Sequence, residues 1–213
     1  MAILDVYWSF RSPYSYLAAD RLIMMGAAYA IDLRFRPVRP LALRESDFFE
    51  RGRPQFLPYL LKDVMREAER LSIPIAMPRP DPVAMNMETG VVDAEQPLMD
   101  RLMTLGVAAV ETGRGLFFAR SVSKRIWGGR ENWHEPATLA EAAEEAGLAL
   151  DALETWARDN PGRVAEAIAE NEAEQLKHHW GVPLMVLDGE PFFGQDRLDA
   201  LRWRLDQLVS RQS

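Results

Sequence analysis

Residues 2–10, Ala-Ile-Leu-Asp-Val-Tyr-Trp-Ser-Phe, are rich in β-branched and aromatic types and predict a buried strand. Ser12-Pro13 then supplies an N-cap and an N1 proline. Tyr16, Leu17, Ala18, Leu22, Ile23 and Met24 carry a helix to about Tyr29. Residues 31–38 alternate: Ile31, Leu33 and Phe35 share one face, Asp32, Arg34 and Arg36 the other, which predicts a second strand. The opening therefore reads β-α-β, with a connection long enough for a parallel crossover.

The pattern then changes period. Leu60, Leu61, Val64, Met65, Ala68 and Leu71 recur at helical spacing over 59–71. Pro74, Pro78, Pro80 and Pro82 make 74–82 an extended loop, and 96–113, 115–127, 137–146 and 151–158 read as helices. Nothing between 41 and 160 reads as a strand. Residues 163–180 read as a helix running into Gly181, after which Pro183 opens the short apolar strand Leu184-Met185-Val186-Leu187. Asp188-Gly189 is a two-residue hairpin signal, Phe192-Phe193 belong to the return strand, and Leu198, Leu201, Leu205 and Leu208 mark a final amphipathic helix. The assembled order is β-α-β, a helical block, then α-β-β-α around a mixed four-stranded sheet. That is the thioredoxin plan, an α/β fold with a large all-helical insertion. The expected division is 1–40 with 161–213 as the thioredoxin-like domain and 41–160 as the insertion.

Composition sharpens this in one respect. The 213 residues contain no cysteine, which removes disulfides, thiolate metal sites, iron–sulfur clusters and cysteine nucleophiles. The formal charge of −7 argues against nucleic acid as a main partner. Residues 1–130 hold 18 basic against 15 acidic residues, and 131–213 hold 7 against 17, so arginines concentrate in the N-terminal part. No apolar stretch is long enough to span a membrane, and no signal peptide is apparent at Met1-Ala2-Ile3-Leu4-Asp5, so a cytoplasmic protein without a membrane partner is expected. His134, His178 and His179 are the only histidines, and adjacent His178 and His179 on a helix would point about 100° apart, a poor metal pair, so no metal is expected.

Two motifs carry chemistry. Ser9-Phe10-Arg11-Ser12-Pro13-Tyr14-Ser15-Tyr16-Leu17-Ala18 places Ser12 at a helix N-terminus behind a strand. Trp180-Gly181-Val182-Pro183-Leu184-Met185-Val186-Leu187, continuing to Phe193-Gly194-Gln195-Asp196-Arg197-Leu198, joins a proline-opened strand to a helix entrance. Together they resemble the 2-hydroxychromene-2-carboxylate isomerases, which group with the kappa-class glutathione transferases and the DsbA-type oxidoreductases. A weaker match is Tyr59-Leu60-Leu61-Lys62-Asp63 followed by Ile73-Pro74.

The resemblance implies glutathione as cofactor and Ser12 where redox relatives hold their first cysteine. The bond before Pro183 is cis in thioredoxin-like folds, with an ordinary trans proline opening an edge strand as the competing reading. It makes Ser12 the catalytic residue. Ser12, Val182, Pro183, Phe193, Gly194, Gln195, Asp196 and Arg197 become the glutathione-binding set. It also implies a small aromatic carboxylate as substrate, a place in aromatic-hydrocarbon catabolism, and a homodimer. A lysine and an asparagine contact the substrate in the isomerases. Here Arg44 is the nearest match to the lysine, and Arg51-Gly52-Arg53-Pro54 has no asparagine, which leaves Arg44 and Arg53 as candidate carboxylate ligands. The expected activity interconverts 2-hydroxychromene-2-carboxylate and trans-o-hydroxybenzylidenepyruvate or a related intermediate. The alternatives are a kappa-like transferase and a non-catalytic thioredoxin-like module that binds glutathione or a peptide. Ser12 and Ser15 occupy the spacing of a C-x-x-C pair, so dithiol redox chemistry is excluded.

Overall fold

Strand β1 spans Ala2–Trp8, helix α1 Pro13–Ala28 and strand β2 Ile31–Pro37 in a computed structural model that describes residues 1–45, 55–86 and 91–210. Among the described residues the following helices come next: α2 (Leu41–Arg44), α3 (Phe56–Leu71), α4 (Pro97–Glu111), α5 (Gly115–Trp127), α6 (Pro136–Glu145) and α7 (Leu150–Asp159). The chain closes with α8 (Pro161–Leu176), β3 (Leu184–Leu187), β4 (Glu190–Phe193), a short 3-10 turn (Gln195–Arg197) and α9 (Leu198–Ser210). Proline stands in the first turn of α1, α4, α6 and α8, where its fixed φ suits the helix and its missing N–H is no loss.

The sheet order is β2-β1-β3-β4. β1 and β2 run parallel, with Val6 beside Phe35. β1 and β3 run antiparallel, with Tyr7 beside Leu184, and β3 pairs antiparallel with β4, with Leu184 beside Phe193. This is the thioredoxin-like order with helices inserted after β2. The hairpin forms at Asp188 (φ 47°) and Gly189 (φ 90°), the paired positive φ of a type I′ turn. Asp188 also accepts a hydrogen bond from the Ile3 amide at 2.9 Å, tying the turn to β1.

One continuous core joins the sheet to the inserted helices. Leu4, Val6 and Trp8 of β1 pack with Leu17 and Leu22 of α1, with Leu102 and Leu105 of α4, and with Phe118, Val122 and Ile126 of α5. Trp8 and Phe35 meet with ring centroids 6.0 Å apart. Buried apolar area of this extent is the main stabilising term, at about 25 cal/mol per Å².

The structure departs from the pattern in a few places. β1 ends at Trp8 rather than Phe10, because the Ser12 amide turns back onto the Ser9 carbonyl at 3.0 Å. Helix α8 ends at Leu176 rather than 180: the Gln175 amide donates to the carbonyls of Trp180 and Gly181, at 3.2 and 2.8 Å, and draws that segment off the helix axis. His178 and His179 consequently lie outside the helix, so helical spacing does not govern them. No group of three or more potential metal-binding His, Asp or Glu side chains occurs among the described residues. The last helix is preceded by the 3-10 turn and begins only at Leu198. Met85 and Val92 form an isolated antiparallel bridge that the sequence pattern does not predict. No described helix is long and apolar enough to cross a membrane.

Candidate functional site

Ser12 lies half-buried where β1 hands over to α1. Its backbone is extended (φ −96°, ψ 114°), and its Oγ accepts the Ser15 amide at 3.1 Å, the geometry of an N-cap. The hydroxyl proton has a second direction, toward the Val182 carbonyl at 3.5 Å, which is long for a hydrogen bond and easily exchanged for a better acceptor. α1 presents the positive end of its dipole here, so an anion beside Ser12 is favoured. The neighbouring Arg11 holds Asp81 through Nε and Nη2, both at 2.6 Å, and lies 5.4 Å from the Trp127 ring, which fixes the turn before Ser12. The Trp127 indole donates to the Phe10 carbonyl at 3.2 Å.

The Val182–Pro183 peptide is cis, as in thioredoxin-like folds, and Val182 lies against Ser12. The segment before it is shaped by a ring stack. His179 stacks on Phe193 (centroids 3.8 Å apart) and on Trp180 (4.9 Å), and its Nδ1 accepts the Gly181 amide at 2.9 Å. Burial pulls the His179 pKa below its ordinary value, which favours the neutral ring this acceptor role requires. A Cβ on Gly181 would come within 2.4 Å of the Phe193 ring, so only glycine admits the stack. Arg44 braces the same segment, with Nη1 donating to Gln175 at 2.9 Å and Nη2 to the Trp180 carbonyl at 3.0 Å. Burial lowers its pKa.

The third part is the turn after β4. The Gly194 amide donates to the Pro183 carbonyl at 2.9 Å, which places the turn beside the cis-proline. Gly194 has φ 104° and ψ 151°, and a Cβ there would meet Asp196 Oδ1 at 2.5 Å. Asp196 and Arg197 are exposed, with Arg197 Nε 3.7 Å from Asp196 Oδ2. Gln195 points the other way. It is only 2% exposed, and its side-chain amide is taken up by Arg21 and Glu67.

Ser12, Val182, Pro183, Gly194 and Asp196 are thus gathered from both ends of the chain at one end of the sheet. The DSBA-like thioredoxin domain profile matches residues 3–206. The chain belongs to this DSBA-like family. It is similar to the 2-hydroxychromene-2-carboxylate isomerase of Sphingobium xenophagum, 27% identical over 199 residues that cover 93% of this chain and 95% of that protein. It is also similar to glutathione S-transferase kappa 1 of Rattus norvegicus, 25% identical over 217 residues, 96% of this chain and 91% of that one. A solved 2-hydroxychromene-2-carboxylate isomerase shares the fold with a TM-score of 0.70 at 24% identity, covering 99% of this chain and 97% of that one.

The DSBA-like domain of this protein differs from a dithiol enzyme in its own residues. With no cysteine in the chain, thiol–disulfide exchange by its side chains is excluded. Ser15 is fully buried and its Oγ has no hydrogen-bond partner among the described residues, whereas Ser12 is half-buried. Of the arginines crowded into 34–53 (Arg34, Arg36, Arg39, Arg44, Arg51 and Arg53), Arg34 pairs with Asp32, Arg36 with Asp5 and Asn171, and Arg39 with Glu172. Arg51 and Arg53 lie outside the described residues. Sequence reasoning missed Tyr14, whose hydroxyl donates to Asp63 at 2.7 Å and whose pKa is pushed well up, first by burial and then by that bond. It also missed the partners of Gln195. No periodicity marks a polar residue that is buried by a distant helix. A recess of about 600 Å³ lies along the outer edge of β2, and none of the predicted site residues that are described lines it.

Proposed function

We propose that this protein is a glutathione-dependent isomerase of the 2-hydroxychromene-2-carboxylate type, acting on a small aromatic carboxylate from aromatic-hydrocarbon breakdown. The observation that carries the reading is the approach of Ser12 Oγ to the Val182 carbonyl at the start of α1, in a chain without a thiol of its own. The relatives at about a quarter identity are named isomerase or transferase, which supports an enzyme and leaves the substrate to the site.

The residues present suit glutathione part by part. Ser12 Oγ donates to the sulfur while the dipole of α1 favours the thiolate, whose ordinary pKa is about 8.5. The Val182 main chain pairs with the extended peptide as a strand edge would. The turn Gly194–Arg197 takes the α-amino-acid end: exposed Asp196 pairs with the ammonium, and main-chain amides at the helix entrance receive the carboxylate. Bound glutathione supplies a thiolate that adds to a conjugated carbon and leaves again, so that a double bond passes through a rotatable single bond. Ser12 holds the anion before addition and after expulsion. Phe193, in the ring stack, walls the site beside Gly194. Arg44 braces the Trp180 carbonyl, and the inserted helices, residues 41–160, supply the substrate side together with Arg53. We assign the protein to the cytoplasm, and as a homodimer there; sedimentation of the purified chain checks the dimer, and fractionation of the cells that make it checks the location.

The deciding experiment incubates the enzyme with the chromene carboxylate and glutathione and follows the product by mass. An isomer of unchanged mass, formed only with glutathione, supports the reading. A stable glutathione adduct instead selects the kappa-like transferase, which the likeness to the rat enzyme favours as second reading. Binding of glutathione without turnover leaves a non-catalytic module.

A further inference from the structure

Gln195 sits inside the candidate glutathione turn yet faces away from it. Its side-chain oxygen accepts from Arg21 Nη2 of α1, and its side-chain nitrogen donates to Glu67 Oε2 of α3 at 2.6 Å. Glu67 is held in turn by Arg70, through Nε at 3.1 Å and Nη2 at 2.7 Å. Arg21 Nη2 also donates to the Leu17 carbonyl at 3.3 Å. The Arg70 hydrogen bond is the largest influence lowering the Glu67 pKa, so Glu67 is a carboxylate that accepts and does not donate. Burial dominates at Arg21.

This is a junction of three elements. α1 carries Ser12 at its N-terminus, the 3-10 turn carries Asp196 next to Gln195, and α3 belongs to the inserted block. The Gln195 amide satisfies both neighbours, offering an acceptor to the guanidinium and a donor to the carboxylate. A buried group with two charged partners is well defined in position, because loss of either contact leaves a buried polar atom unpaired. One turn earlier on α3, Asp63 accepts the Tyr14 hydroxyl, so α3 meets α1 directly at Tyr14 and through Gln195 at Arg21.

We infer that Glu67 and Arg21 are positioning residues for glutathione. Acting through Gln195, they set the Gly194–Arg197 turn, and with it Asp196, at the distance from Ser12 that a γ-glutamyl group requires. The inserted helix α3 therefore governs affinity for the end of glutathione remote from the sulfur. This inference rests on the glutathione reading above.

The test compares glutathione with the dipeptide Cys-Gly, which keeps the thiol and lacks the γ-glutamyl group. In Glu67→Ala the Kd for glutathione, read by calorimetry, is expected to rise about tenfold, the scale of one lost charge-assisted contact, while kcat at saturating glutathione stays within about twofold. The Kd for Cys-Gly is expected to match wild type. Glu67→Gln keeps an acceptor for the Gln195 amide and is expected to recover most of the glutathione affinity. Arg21→Lys provides a second variant should Glu67→Ala fold poorly, and is expected to weaken glutathione and spare Cys-Gly. Equal losses for glutathione and Cys-Gly, or an unchanged glutathione Kd in Glu67→Ala, overturn the inference alone. A wild-type protein that binds no glutathione overturns the reading beneath it as well.

Discussion

Ser12 Oγ and the Val182 carbonyl oxygen stand 3.5 Å apart, although 170 positions separate them in the chain. The contact exists because β1 lies between β2 and β3, so the strand that delivers Ser12 borders the strand that begins after Val182. Ser12 is also the N-cap of α1. Ser12→Ala is therefore expected to lower kcat/KM about 100-fold by removing a donor to the bound thiolate, while unfolding in urea shows a loss of only about 1 kcal/mol from the lost cap. Full activity in this variant would count against Ser12 as the catalytic residue.

The ring stack can be broken at its backbone. Gly181→Ala places a methyl within 2.4 Å of Phe193, so the ring or the chain must shift. A destabilisation of about 1–3 kcal/mol, typical of overpacking, is expected in urea titration, together with weaker glutathione binding because Val182 follows directly.

His179 links stability to pH. Burial lowers its folded pKa below 6.5, so in acid the unfolded chain takes up the proton first. Above pH 6.5 both states are neutral and nothing is lost. As pH falls below 6.5 toward the folded value, stability declines. His179→Phe keeps a ring and removes the titration, and the fall in its urea midpoint between pH 7.5 and pH 5.5 is expected to be smaller than that of wild type.

Arg44 separates two roles. Its guanidinium is bound to Gln175 and to the Trp180 carbonyl, on the segment that leads to Val182. Arg44→Leu is expected to raise KM for glutathione as well as for the aromatic substrate. An increase confined to the substrate would return Arg44 to the carboxylate-binding role that its position after β2 suggests.

The Tyr14–Asp63 bond fastens α3 to the helix that Ser12 caps. Asp63 keeps Arg66 at 3.1 Å when the phenol oxygen is removed, so no carboxylate is orphaned. Tyr14→Phe is expected to destabilise the protein by about 1–2 kcal/mol in urea titration with kcat preserved.

Much of this fold was legible in the chain because its signals are local. Ser12-Pro13 starts a helix by capping and by proline's φ, Asp188-Gly189 turns a hairpin because both residues accept positive φ, and 31–38 alternates because one face of β2 packs inward. The end of α8 was not legible. Residues 177–180 carry no breaker, and the helix stops where Gln175 captures the Trp180 and Gly181 carbonyls. The motif marks Gln195 as a ligand, and the structure turns its side chain inward.

Local chemistry along the chain determined that a serine, not a cysteine, caps the first helix, and that a proline opens the third strand. The absence of cysteine left no thiol to the protein itself. Tertiary structure decided that Ser12 and Val182 meet, that Arg44 braces the segment leading to Val182, and that Glu67 of the inserted helix α3 reaches Gln195. The reason is physical: capping, turn formation and alternation depend on neighbours within a few residues, whereas a buried polar side chain finds its partner only when packing brings distant elements together.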